Sequence, residues 1–188
     1  MKYKDQRIGI FIDIQNLYHS AKNLYGDRVN YRELIKELVG GRKLIRVIGY
    51  VVKSEDVLAE TSRQKKETTA PGKARFAQQA PEAAFFEALE KAGIELRTKD
   101  LQIFPGGMKK ADWDVGMAVD AIRMASFLDA IILVTGDGDF IPLVEYLKWG
   151  LGREVEVAAF GRSASAKLKE KADFFIDLEK KPKVMMKK

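Results

Sequence analysis

Short apolar runs punctuate this chain, and amphipathic stretches fill the gaps between them. The runs are Ile8-Gly9-Ile10-Phe11-Ile12, Leu44 to Val52, Ile94-Glu95-Leu96-Arg97, Ala130-Ile131-Ile132-Leu133-Val134, Val155 to Phe160 and Phe174-Phe175-Ile176. Their length and their β-branched and aromatic content predict strands, and the continuous apolarity of the longest ones predicts strands covered on both faces. Leu17, Tyr18, Ala21 and Leu24 fall at helical spacing. Leu34, Ile35, Leu38 and Val39 do so again, between Asn30 as N-cap and Gly40-Gly41 as stop. Further helices are predicted over residues 81–92, with Phe85, Phe86 and Leu89 buried, and from about 112–114, with Val115, Ala118, Val119, Ile122 and Ala125 buried. Two more start near Phe140 and near Ser163. Strands that alternate with helices in this way predict an α/β fold with a mainly parallel sheet and helices on both faces.

Length and charge refine this picture. The 188 residues suit one domain with a sizeable core. Residues 1–178 form that domain in this reading. Residues 54–80 are polar and basic with little periodicity, and are read as an insertion; residues 179–188 are read as a solvated basic tail. The net charge of +6 favours a polyanionic partner. The lack of cysteine removes disulfides, thiolate nucleophiles and cysteine metal sites. No apolar run approaches the roughly 20 residues of a membrane span, and the polar start runs straight into a strand, so the expectation is a cytoplasmic protein without a signal peptide.

The candidate chemistry lies in four aspartates. Asp13 ends the first strand, and Asp137 and Asp139 follow the 130–134 strand. Asp114 opens the helix that leads into that strand. In a parallel sheet all four can converge on the carboxyl edge, where open α/β sheets hold their ligands. Clustered carboxylates require cations, and oxygen ligands without Cys or a His cluster suit Mg²⁺ or Mn²⁺. Such ions support phosphoryl chemistry by polarising phosphate and activating water. Asn16, one turn after Asp13, is placed to orient a phosphate or a water, and the Thr135 hydroxyl to hold a carboxylate or that water. Lys109 and Lys110, on a glycine-rich loop, are candidates for phosphate contacts, and Trp113 for stacking on a base. Each acid also has a plainer role open to it. Asp137 and Asp139 can cap the following helix, Asp13 can be a turn residue, and Asp114 can be a first-turn acid favoured by the helix dipole. His19, the sole histidine, is read as surface or packing, and Tyr18 and Phe140 as core.

Three segments in this order carry a resemblance: Asp13-Ile14-Gln15-Asn16, Asp112-Trp113-Asp114-Val115 leading to Asp120, and Thr135-Gly136-Asp137-Gly138-Asp139-Phe140. Together they resemble the NYN domain family, and within it the LabA-like branch (DUF88), over roughly residues 7–178. NYN domains are similar to PIN-domain nucleases, so the resemblance implies a PIN-like three-layer α/β/α sandwich. It further implies a metal-dependent endoribonuclease acting on single-stranded RNA. Asp13, Asp114 and Asp137 would be the metal ligands, Asp139 a fourth acid and Asn16 the polar partner at the scissile phosphate. Asp120 ranks lower, because six residues past Asp114 it lies on another helix face. DNA stays open as a substrate, as does a homodimer; no membrane partner is expected. The alternative is a non-catalytic nucleic-acid-binding or regulatory module with the same fold. A haloacid-dehalogenase-like phosphatase is disfavoured, because that chemistry wants a second Asp two residues after the first, where this chain has Gln15.

Overall fold

The computed structural model describes residues 3–53, 83–100, 102–103, 109–110 and 113–186, with residues 53, 100, 102–103 and 109–110 described in backbone only. The expected insertion at 54–80 lies outside the described residues. In chain order the elements are β1 (Arg7–Asp13), α1 (Ile14–Tyr25), β2 (Arg28–Val29), α2 (Tyr31–Val39) and β3 (Lys43–Lys53). A helix α3 over 83–91 follows, then β4 (Glu95–Asp100), β5 (Gln102–Ile103), β6 (Lys109–Lys110), α4 (Asp114–Met124) and β7 (Ala130–Val134). The chain continues through a 3-10 turn at Gly138–Phe140 into α5 (Ile141–Glu145), then β8 (Glu154–Ala159), α6 (Ala166–Lys171), β9 (Phe174–Asp177) and β10 (Met185–Met186).

Six strands form one sheet in the order β4-β3-β1-β7-β8-β9. Every pairing in it is parallel. The alternation of side chains along β1 assigns the two faces. Ile8, Ile10 and Ile12 meet Leu17 and Ala21 of α1, Leu34 and Leu38 of α2 and Leu89 of α3. Phe11, with Ile48 and Tyr50 of β3 and Ile131 and Leu133 of β7, meets Met117, Ala121 and Met124 of α4, Leu143 and Val144 of α5 and Leu168 of α6. The result is the three-layer α/β/α sandwich that the patterning implies. Each fully buried Ile or Leu contributes about 1.5–3 kcal/mol relative to exposure, so the sandwich is held from both faces of the central strands.

The chain begins in the middle of the sheet and winds outward through β3 and β4 by way of α1 to α3. It then crosses back along α4 to β7, beside β1, and winds out the other way. The strand order therefore reverses between β1 and β7, and such a switch point opens a crevice at the carboxyl ends of the two strands.

Local signals account for the element ends. Asn30 caps α2 by accepting from the Glu33 N–H at 3.2 Å, and Gly40 ends it in the left-handed region at φ 55°. Two expectations are corrected. On α4 the stripe against the sheet is Met117, Ala121 and Met124, whereas Val115, Val119 and Ile122 are exposed. The helix is apolar on two faces, and the pull of the sheet decides which one is buried. The basic tail expected from residue 179 is docked as far as residue 186. Val184 is fully buried, Met185–Met186 pairs antiparallel with Arg28–Val29, and Lys181 reaches Glu37 at 2.9 Å.

Candidate functional site

Asp13 is both the last residue of β1 and the N-cap of α1. Its Oδ1 accepts from the Asn16 N–H at 3.0 Å. On the neighbouring strand Thr135, one residue past β7, donates its hydroxyl to Asp13 Oδ2 at 3.4 Å and accepts from the Asp137 N–H at 3.2 Å. One buried hydroxyl thus ties the two acidic segments together across the switch point. Asn16 closes the arrangement, since its side-chain oxygen accepts from the Gly136 N–H at 3.0 Å. Asp137 caps the next turn through the Asp139 N–H, 2.9 Å from its Oδ1. Capping and acid clustering therefore coexist in the same two residues.

The loop after β8 supplies the floor of the 136–138 turn. Ser165 N–H donates to the Gly136 carbonyl at 2.9 Å, and a Cβ on Gly136 would stand 3.1 Å from Ala164 Cα. This close approach explains the first glycine of the Gly136-Asp137-Gly138-Asp139 turn. The Ser163-Ala164-Ser165 support was missed in the sequence. Its only signal there is a run of small residues directly after a strand.

Burial pushes the Asp13 carboxyl above the ordinary aspartate range, and the Asp137 charge adds to the rise. The Asn16 and Gln15 N–H groups and the Thr135 hydroxyl oppose it without reversing it. Asp13 and Asp137 are each half-buried. The crevice thus brings two like charges close enough to act on one another.

Asp114 opens α4, and 114, 117, 121 and 124 lie on one stripe, so Asp114 continues the line of the sheet-facing residues Met117 and Ala121. That stripe meets the same sheet face to which Asp13 and Thr135 belong. However, Trp113 Nε1 donates to the Val51 carbonyl at 3.0 Å, which anchors the start of α4 over β3, one strand away from the Asp13–Asp137 crevice. Among the described residues no three His, Cys, Asp or Glu side chains stand together as a metal-holding group. Of the expected ligands Asp13, Asp114 and Asp137, the hydrogen-bond network through Thr135 and Asn16 joins the segments of Asp13 and Asp137.

The remaining expected residues separate. Asp139 is exposed at the rim. Asp120 is engaged elsewhere. Tyr50 donates its hydroxyl to Asp120 Oδ2 at 3.0 Å, and Arg97 approaches the same oxygen at 3.5 Å. Trp113 lies against Tyr50 at 6.0 Å between ring centroids, and a Cβ on Gly116 would strike its indole. It is half-buried in this packing. Thr135 is buried, with its hydroxyl committed to Asp13 and to the Asp137 N–H. Lys109 and Lys110 pair in backbone with Ile103 and Gln102 as a short strand rather than the expected loop, and their side chains lie outside the described residues, as does Asp112.

The donor set fits a hard divalent cation. It consists of carboxylate oxygens with excess negative charge, and Mg²⁺ characteristically takes one or two carboxylates and fills its shell with waters and substrate phosphate. Among the described residues no helix is long and apolar enough to cross a membrane.

None of the curated proteins matches the sequence significantly. Among solved structures, a protein of unknown function from Vibrio parahaemolyticus is 26% identical, with 99% of each chain covered and a TM-score of 0.76. More distant is a bacteriophage T5 protein co-crystallised with metal ions, 18% identical at a TM-score of 0.47, with 87% of this chain and 59% of that one covered. The phage T5 flap endonuclease in a complex with DNA and metal ions stands at 18% and 0.43, with coverage of 84% and 56%. Residues 7–179 match the model of the NYN domain, so the chain belongs to the NYN domain family.

Proposed function

We propose that this chain is an endoribonuclease that depends on Mg²⁺ or Mn²⁺ and cuts single-stranded RNA at the Asp13–Asp137 crevice. One observation carries the reading: two half-buried carboxylates lie on the two strands that flank the switch point, and burial and the Asp137 charge raise the proton affinity of Asp13. A fold gains no stability from such a pair, whereas a cation site requires it. Membership of the NYN family supports the nuclease chemistry.

A divalent ion bound there would neutralise phosphate charge and activate a water. The chain's own residues do the positioning. Asp13 and Asp137 hold the cation, Thr135 fixes the free oxygen of Asp13, and Asn16 locks the turn that carries Asp137. Asp114 contributes from the α4 side of the crevice, and Asp139 assists from the rim. Lys109 and Lys110 neutralise flanking phosphates. The alternative, a non-catalytic nucleic-acid-binding module, draws on the lack of a grouped set of three acids among the described residues.

The test is cleavage of matched single-stranded RNA, duplex RNA and single-stranded DNA in Mn²⁺, in Mg²⁺ and in EDTA. Cleavage of the RNA single strand in either metal, and none in EDTA, is the expected result. Binding of RNA without cleavage in any metal would replace the nuclease with the binding module.

A further inference from the structure

On the α1 side of the sheet, beside the acidic crevice, lies a cavity of about 550 Å³, within the range of roughly 300–1,000 Å³ usual for small-ligand sites. Val51 and Val52 both line it, so it opens at the carboxyl edge of β3. Ile14 and Gln15, which follow Asp13 directly, form its near wall. Aromatic rings build the rest. Tyr18 and Phe85 stand 6.2 Å apart between centroids, Tyr31 and Phe85 6.1 Å, and Phe85 and Phe86 6.2 Å. Two further features are polar. Gln15 brings an amide to the near wall. The exposed Arg28 stands on the rim.

We infer that this cavity is a nucleobase pocket that seats one unpaired base of the substrate next to the cleavage site, an inference that rests on the nuclease reading. A base stacks on the aromatic wall through its π-face. The Gln15 amide meets its polar edge, and Arg28 takes the adjoining phosphate. An acyl chain or an apolar peptide would use the rings but neither the amide nor the rim cation. The pocket admits only an unpaired base, so single strands bind and duplexes do not.

The probe is a fluorescein-labelled single-stranded oligoribonucleotide, followed by anisotropy in EDTA, where no cleavage occurs. Tyr18→Leu keeps the cavity apolar but removes a stacking face, and is expected to weaken binding at least about fivefold; Tyr18→Phe restores it. Arg28→Gln, on the exposed rim, should weaken binding and lower the salt slope by about one, which keeps the test alive if Tyr18→Leu fails to fold. Unchanged affinity in Tyr18→Leu and Arg28→Gln, or duplex RNA bound as tightly as the single strand, overturns the pocket. The two readings fail separately. Wild-type binding that needs Tyr18 but never leads to cleavage in Mn²⁺ ends the nuclease and supports the pocket. Cleavage whose KM is indifferent to Tyr18→Leu ends the pocket alone.

Discussion

The two edges of the central sheet treat charge in opposite ways. At the amino edge opposite charges meet in two long-range pairs. Arg42 and Glu156 are fully buried and meet at 2.6 Å, and Arg42 also donates to the Leu38 and Val39 carbonyls and to Gln6. Arg7 holds Asp129 through its backbone N–H and two guanidinium nitrogens, which keeps that carboxyl down at about 2. At the carboxyl edge Asp13 and Asp137 share a hydroxyl and repel one another. Matched charge at one edge serves the fold, and the like charges at the other are the ones to which we assign a ligand. The difference predicts that substitutions at the two edges separate stability from activity.

The largest effect on stability belongs to the amino edge. Arg42→Met strands a buried carboxylate and should cost about 3–5 kcal/mol, a fall in melting temperature of about 6–20 °C for a chain of this size. Adding Glu156→Leu should recover most of the loss, because the apolar pair needs no desolvation. Thermal unfolding of the single and double variants checks this. The next effect belongs to the carboxyl edge and has the opposite sign. Mn²⁺ at a hundred times its dissociation constant should stabilise the wild type by about 2.7 kcal/mol, and Asp13→Asn should abolish that shift. Equal Mn²⁺ shifts in wild type and variant would erase the contrast between the edges.

A smaller effect tests the hydroxyl that joins the acids. Thr135→Val leaves the half-buried Asp137 N–H without its acceptor and should cost about 1 kcal/mol; Thr135→Ser should restore it. Chemical denaturation of both variants measures the difference. The smallest effect is the pH dependence. Burial raises the Asp13 carboxyl in the folded state, so its contribution to stability is greatest in acid, below its unfolded value, and is lost as pH rises through the folded value. Asp129 runs the other way. Its stabilisation holds above the unfolded value and disappears as pH falls through about 2. Relative to Asp13→Asn the wild type should therefore lose ground with rising pH, and relative to Asp129→Asn it should gain.

The central strands and most helix ends were legible in the sequence, because continuous Ile and Val runs and Asn, Asp or Gly caps act locally. Asp13 with Asn16, and Thr135 with Asp137, were legible for the same reason: each pair lies within one turn of a strand end. Partner choice across the chain was not. Glu156 reads as an alternating strand residue until Arg42, far away in sequence, arrives beneath it. The exposed Val115, Val119 and Ile122 fit a helical stripe as well as the buried Met117, Ala121 and Met124 do, and only the position of the sheet decides between them. Val184 and the two methionines after it were masked by the lysines around them, although that short apolar run is what docks the tail. Asp114 has the right element and the right stripe, but no local pattern reveals that Trp113 anchors its helix over β3.

The most direct test of the acidic crevice is the rate of single-stranded RNA cleavage by wild type and Asp13→Asn at equal folded concentration in Mn²⁺. The account predicts a fall of at least about 100-fold, with a melting temperature in EDTA that is equal to the wild type's or higher. Undiminished cleavage by the folded Asp13→Asn protein would contradict it.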